Sequence, residues 1–144
     1  MPNGKHWTNE KWEAYAGPLD VLNSQLEKFA FVQKYELLKN YHGNPCRYLC
    51  WDGKDSNGRK MERIVVIQLA SESKPATYSI WYGASQLREK EEIYSSHEYL
   101  IKELTVPLNP NEVMKLIEQA CDLANKIRKK DLKRVYTVLD VPKT

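Results

Sequence analysis

Met61-Glu-Arg-Ile-Val-Val-Ile-Gln-Leu-Ala70 and Thr77-Tyr-Ser-Ile-Trp-Tyr-Gly83 decide the fold. Ile64-Val-Val-Ile67 is a continuous β-branched run, the pattern of a strand covered on both faces, so it belongs in the middle of a sheet. Thr77–Gly83 alternates instead. Tyr78, Ile80 and Tyr82 fall on one face, and Thr77, Ser79 and Trp81 fall on the other, which is expected to be partly wet. The connection Ser71-Glu-Ser-Lys-Pro-Ala76 is polar and lacks a backbone donor at Pro75, as suits a surface turn, so the two strands pair antiparallel.

Downstream of this hairpin, 86–92 is highly charged and reads as a loop or a single helical turn. His97–Val106 returns as a strand, although Ser95-Ser-His-Glu98 also resembles a helix-capping box. Pro110–Lys130 is the clearest helix. Asn109 caps it, Pro110 takes its first position, and Val113, Leu116, Ile117, Ala120, Leu123, Ala124 and Ile127 form one apolar stripe. Val135–Leu139 follows as a last, edge strand.

Upstream, Cys46-Arg-Tyr-Leu-Cys-Trp51 predicts a strand leading into the Asp-, Asn- and Gly-rich turn Asp52–Gly58. Pro18–Lys39 predicts a helix, with a strand as competitor over Phe29–Leu38 because that part is aromatic and alternating. Residues 1–17 read as an arm laid against a single domain spanning 18–144. The expected fold is α+β: an N-terminal helix, a four- or five-stranded mainly antiparallel meander sheet, and a C-terminal amphipathic helix packed on one sheet face.

A chain of 144 residues, 42% of them hydrophobic, suffices for one domain with a covered sheet. Its apolar runs are far shorter than the roughly 20 residues a membrane-spanning helix needs, and Met1–Trp7 has no apolar signal core, so a soluble, cytoplasmic protein is expected. Three cysteines argue against a disulfide framework. A net charge of +3 does not by itself demand a polyanionic partner.

No catalytic, metal-binding or phosphate-binding spacing stands out. His42, Cys46 and Cys50 carry zinc-type donors, but on a strand the two thiols would lie about 13 Å apart at roughly 3.3 Å per residue, too far for one ion. If Gly58 took the sixth place of a calcium loop, the first and twelfth ligands would be Gly53 and Ile64, which supply no carboxylate. His42 or His97 beside a cysteine would be the material for a nucleophile–base pair in an enzyme of unknown reaction. The six glycines form no phosphate-binding loop. No metal, cofactor or catalytic residue is expected.

Two surfaces remain. The sheet aromatics Tyr48, Trp51 and Trp81, flanked by Arg47, Arg59 and Lys60, suit a non-enzymatic module that grips a protein partner or a second copy of itself through a sheet face or edge. Lys126, Arg128, Lys129, Lys130, Lys133 and Arg134 form the densest basic run and suit nucleic-acid contact. Cations that solvate a helix C-terminus are the plainer account of the same run.

Overall fold

In a computed structural model the chain is an α+β domain; the residues described are 7–41, 43–54, 60–71, 73–88, 93–127 and 133–135. Helix α1 (Asn9–Ala16) continues through a 3-10 turn (Gly17–Leu22) into α2 (Asn23–Gln33). Strands β1 (Glu36–Tyr41), β2 (Asn44–Lys54), β3 (Lys60–Ser71), β4 (Lys74–Arg88) and β5 (Ile93–Thr105) then run as an antiparallel meander. Helix α3 (Pro110–Asn125) crosses back over the sheet, and the three-residue β6 (Lys133–Val135) adds to β5. Strand order equals chain order.

Several sequence boundaries move, each for a local reason. The expected arm contains a helix, because the Thr8 hydroxyl accepts from the Lys11 amide at 3.1 Å and Glu10 sits in the first turn, where a negative charge meets the helix dipole. Trp7 is buried at its start, packs edge-on to Tyr15 at 5.2 Å, and donates to Asn44 Oδ1 on β2. The single helix expected over 18–39 stops at Gln33. Lys34 turns left-handed with φ 62°, and the Tyr35 amide closes on the Ala30 carbonyl at 2.9 Å. Beyond it Tyr35 stacks flat on Trp51 at 4.0 Å, and Leu37 and Leu38 pair with Leu49 and Tyr48, so strand pairing takes only the end of the segment from Glu36, while Phe29 and Phe31 stay in α2. The segment 86–88 continues β4, and 95–98 lies within β5 rather than opening a helix.

The C-terminal helix ends at Asn125, five residues before the expected Lys130. Arg63 on β3 holds this end. Its Nε donates to the Ala124 carbonyl at 3.0 Å, which also accepts from the Ile127 amide at 3.2 Å, and its Nη2 donates to the Ile127 carbonyl at 3.2 Å, so the guanidinium binds the end of α3 to the sheet. Trp51 Nε1 adds a bond to Asn125 Oδ1 at 2.8 Å. The expected last strand begins at Lys133, and its remainder, 136–139, lies outside the described residues.

The register sorts the sheet into two faces. Leu37, Leu49, Val65, Tyr82 and Tyr99 form one transverse row, with Ile67 and Ile80, then Leu69, Tyr78 and Leu104, beside it. All but Tyr99, which packs in a smaller cluster with Met61, Ala84 and Ile127, meet Leu19, Leu22, Leu26 and Ala30 of the N-terminal helices and Val113, Met114, Ile117, Ala120 and Cys121 of α3 in the main core. Each fully buried aliphatic side chain there contributes about 1.5–3 kcal/mol. Tyr78, wholly buried, donates its hydroxyl to the Tyr15 carbonyl. No helix of the described residues is long and apolar enough to cross a membrane.

Candidate functional site

The second face of the sheet carries no described helix, yet its centre is dry. Leu38, Tyr48, Val66, Trp81 and Leu100 form a transverse row crossing all five long strands. Val66, at the middle, is 1% exposed, whereas Leu38 and Leu100 at the two ends are 39% and 47% exposed. The neighbouring row is Glu36, Cys50, Ile64, Gly83 and Glu98, with Cys50 and Ile64 buried. Ile64–Ile67 is therefore covered on both faces.

Curvature contributes to the cover. In a flat sheet β1 and β5 stand four ladder spacings apart, about 19 Å at roughly 4.8 Å per strand. Yet the Tyr41 hydroxyl on β1 donates to Glu98 Oε1 on β5 at 2.5 Å. The twisted sheet thus lifts diagonally opposite corners over this face and makes it a trough. Tyr41 meets Tyr48 edge-on at 4.8 Å, and Trp81, half-buried, points its indole N–H at Ser79 Oγ. The floor is Cys46, Cys50, Ile64 and Val66.

The polar groups of the trough are neutral donors set against carboxylates. The Cys50 thiol donates to Glu36 Oε1 at 3.3 Å. Burial pushes the Cys46 thiol up to about 12. Burial first, then the bond to Glu36 and the Glu62 and Glu36 charges, pushes Cys50 to about 12 as well. The Tyr41 and Tyr48 hydroxyls are also raised by burial and then by neighbouring carboxylates, Glu98 for Tyr41 and Glu62 for Tyr48. Cys121, under α3, is lifted by burial to about 12. All three cysteines are thiols near neutrality, which is the wrong state for a nucleophile. Among the described residues no group of three or more His, Cys, Asp and Glu is placed to hold a metal ion.

Of the residues expected to bind, Tyr48 and Trp81 come together on either side of Val66. Arg47 and Trp51 do not join them. Both have the opposite parity on β2 and lie on the helix-covered face, Trp51 stacked on Tyr35 and Arg47 bonded to Asp20, Asn23 and the Cys46 carbonyl. Arg59 and the side chain of Lys60 lie outside the described part. The basic run is divided: Lys126 follows the end of α3, Lys133 and Arg134 belong to β6, and Arg128, Lys129 and Lys130 lie outside the described residues, as do His42 and the side chain of His97.

The residues that complete the trough, Glu36, Leu38, Tyr41, Glu98 and Leu100, were not foreseen. Leu100 was within reach, because it has the opposite parity to Tyr99 on an expected strand. Leu38 was hidden by the expectation of a helix over 18–39, and Tyr41 lay just beyond that helix in no expected strand. Compared with protein-family models, curated proteins and solved structures, the chain matches none.

Proposed function

We propose that the protein is a non-enzymatic binding module that holds a protein partner, a second copy of the chain included, in the trough of the sheet. The observation that carries this reading is the row Leu38–Tyr48–Val66–Trp81–Leu100, apolar across five strands and solvent-accessible at both ends. Large apolar side chains gathered on one face are what recognition surfaces display. The face is favoured over the β1 edge, where Glu36, Lys39 and an irregular register between Leu38 and Asn40 oppose addition of another strand. A nucleic-acid partner is less favoured, because the trough carries glutamates and the basic run does not continue α3.

The test is selection of linear peptides against the immobilised protein, with Leu38→Asp/Leu100→Asp as the counter-selecting variant. Both leucines are accessible, so the variant keeps its fold, checked by circular dichroism. Peptides retained by the wild type and released by the variant support the reading. Absence of any such peptide removes it.

A further inference from the structure

We propose that the segment taken by the trough carries a lysine or arginine among apolar residues, its cation meeting the rings of Tyr48 and Trp81 and the carboxylates of Glu36, Glu62 and Glu98. This rests on the binding reading and names the chemistry of the partner.

Charge is the first ground. The rows of the trough carry the exposed carboxylates Glu36, Glu62 and Glu98, while Lys74 and Glu103 stand at its margin. Lys74 pairs with Glu103 at 3.8 Å. Glu36, Glu62 and Glu98 form no ion pair with a described cation. Glu36 and Glu98 take bonds from a thiol and a phenol instead, so their charge is solvated but not cancelled. A cation seated here would meet three carboxylates.

Shape and ring chemistry are the second ground. Tyr48 and Trp81 flank Val66 and are both half-buried, so part of each ring stays accessible to a long side chain whose charged end reaches the rim. Aromatic faces attract such a cation, and the Tyr48 phenol is held in its neutral form by burial. The apolar row would accept alternate side chains of about five or six extended residues, since four ladder spacings equal roughly 19 Å at about 3.3 Å per residue.

The experiment is a randomised linear peptide library selected on wild type, on Glu36→Gln/Glu62→Gln/Glu98→Gln, and on Leu38→Asp/Leu100→Asp. The glutamines keep the acceptor oxygens for Cys50 and Tyr41, and all three glutamates are exposed, so the triple variant folds. Peptides combining Lys or Arg with apolar neighbours are expected on wild type. A retained peptide, resynthesised with a fluorophore, should lose about ten-fold in affinity toward the triple variant, or when its cation is replaced by norleucine, and should bind more weakly as salt rises. Retained peptides without basic residues, or equal affinity for the triple variant, overturn the cationic partner and leave the binding module standing. If no peptide depends on Leu38 and Leu100, both readings fall.

Discussion

Arg47→Met is expected to lower the stability of the domain by about 2 kcal/mol and to leave peptide capture by the trough unchanged. The guanidinium is 3% exposed and makes three bonds: to Asp20 Oδ1 at 2.6 Å, Asn23 Oδ1 at 2.7 Å and the Cys46 carbonyl at 2.9 Å. A bond of this charged kind is worth about 1.5–3 kcal/mol when its partner stays dry. Asp20 is 64% exposed and recovers its hydration, and half-buried Asn23 recovers part of it, whereas the Cys46 carbonyl is left in a buried strand. The net loss is therefore nearer one bond than three, reduced further because methionine is easier to bury than a cation. In a domain of this size that means a fall in Tm of about 4–8 °C. Asp20→Asn, on the wet side of the pair, should cost about 0.5–1 kcal/mol. Urea unfolding of both single variants and the double variant measures the coupling. The reasoning fails if Arg47→Met is as stable as wild type, and it fails in a more instructive way if stability holds while peptide capture is lost.

Arg63→Met should loosen the end of α3, seen as faster amide hydrogen exchange at Ala124–Ile127 with the sheet amides of Val65–Ile67 unchanged; equal loosening of both would deny Arg63 its local capping role. Raising the pH should destabilise the fold between about 9 and 12. The native Cys46 and Cys121 hold their protons to about 12 while the unfolded thiols release theirs from 9.0, so the unfolded state is favoured as pH rises, by up to about 2 kcal/mol per thiol at about pH 10.5. Urea midpoints that stay flat from neutrality to that pH would contradict the buried thiols. Phe31→Ser, at a side chain 84% exposed, should change stability by no more than about 0.5 kcal/mol, and a larger loss would show that Phe31 is covered in solution.

The centre of the fold was legible because its strands carry their own burial pattern. Ile64–Ile67 announces two covered faces, and Asn109-Pro110 with the stripe from Val113 to Ile127 announces α3. What stayed hidden depended on partners distant in sequence. The chain leaves α2 for β1 where Tyr35 finds the Trp51 ring to stack on, and the end of α3 is held by Arg63, sixty residues earlier, which reaches its carbonyls. Arg47 reads as a surface cation in any local window, and only the packing of Asp20 and Asn23 against β2 shows that it is interior. The trough was half legible: Tyr48 and Trp81 follow from strand parity, but Tyr41 and Glu98 meet through curvature, and no spacing in the chain encodes a contact across three intervening strands.

The meander has a consequence for how the chain is made. Every long strand pairs with its sequence neighbour, so the sheet can assemble as it emerges from the ribosome, while one of its faces waits for α3. Roughly twenty residues separate Leu104 from Ala124, about one to four seconds of synthesis at roughly 5–20 residues per second. During that interval Val65, Ile67, Ile80 and Leu104 have only the N-terminal helices to shelter them. The nascent chain is therefore most exposed to misassociation and to chaperone capture late in its synthesis, and a ribosome stalled before codon 110 would present a nearly complete sheet with half its cover missing.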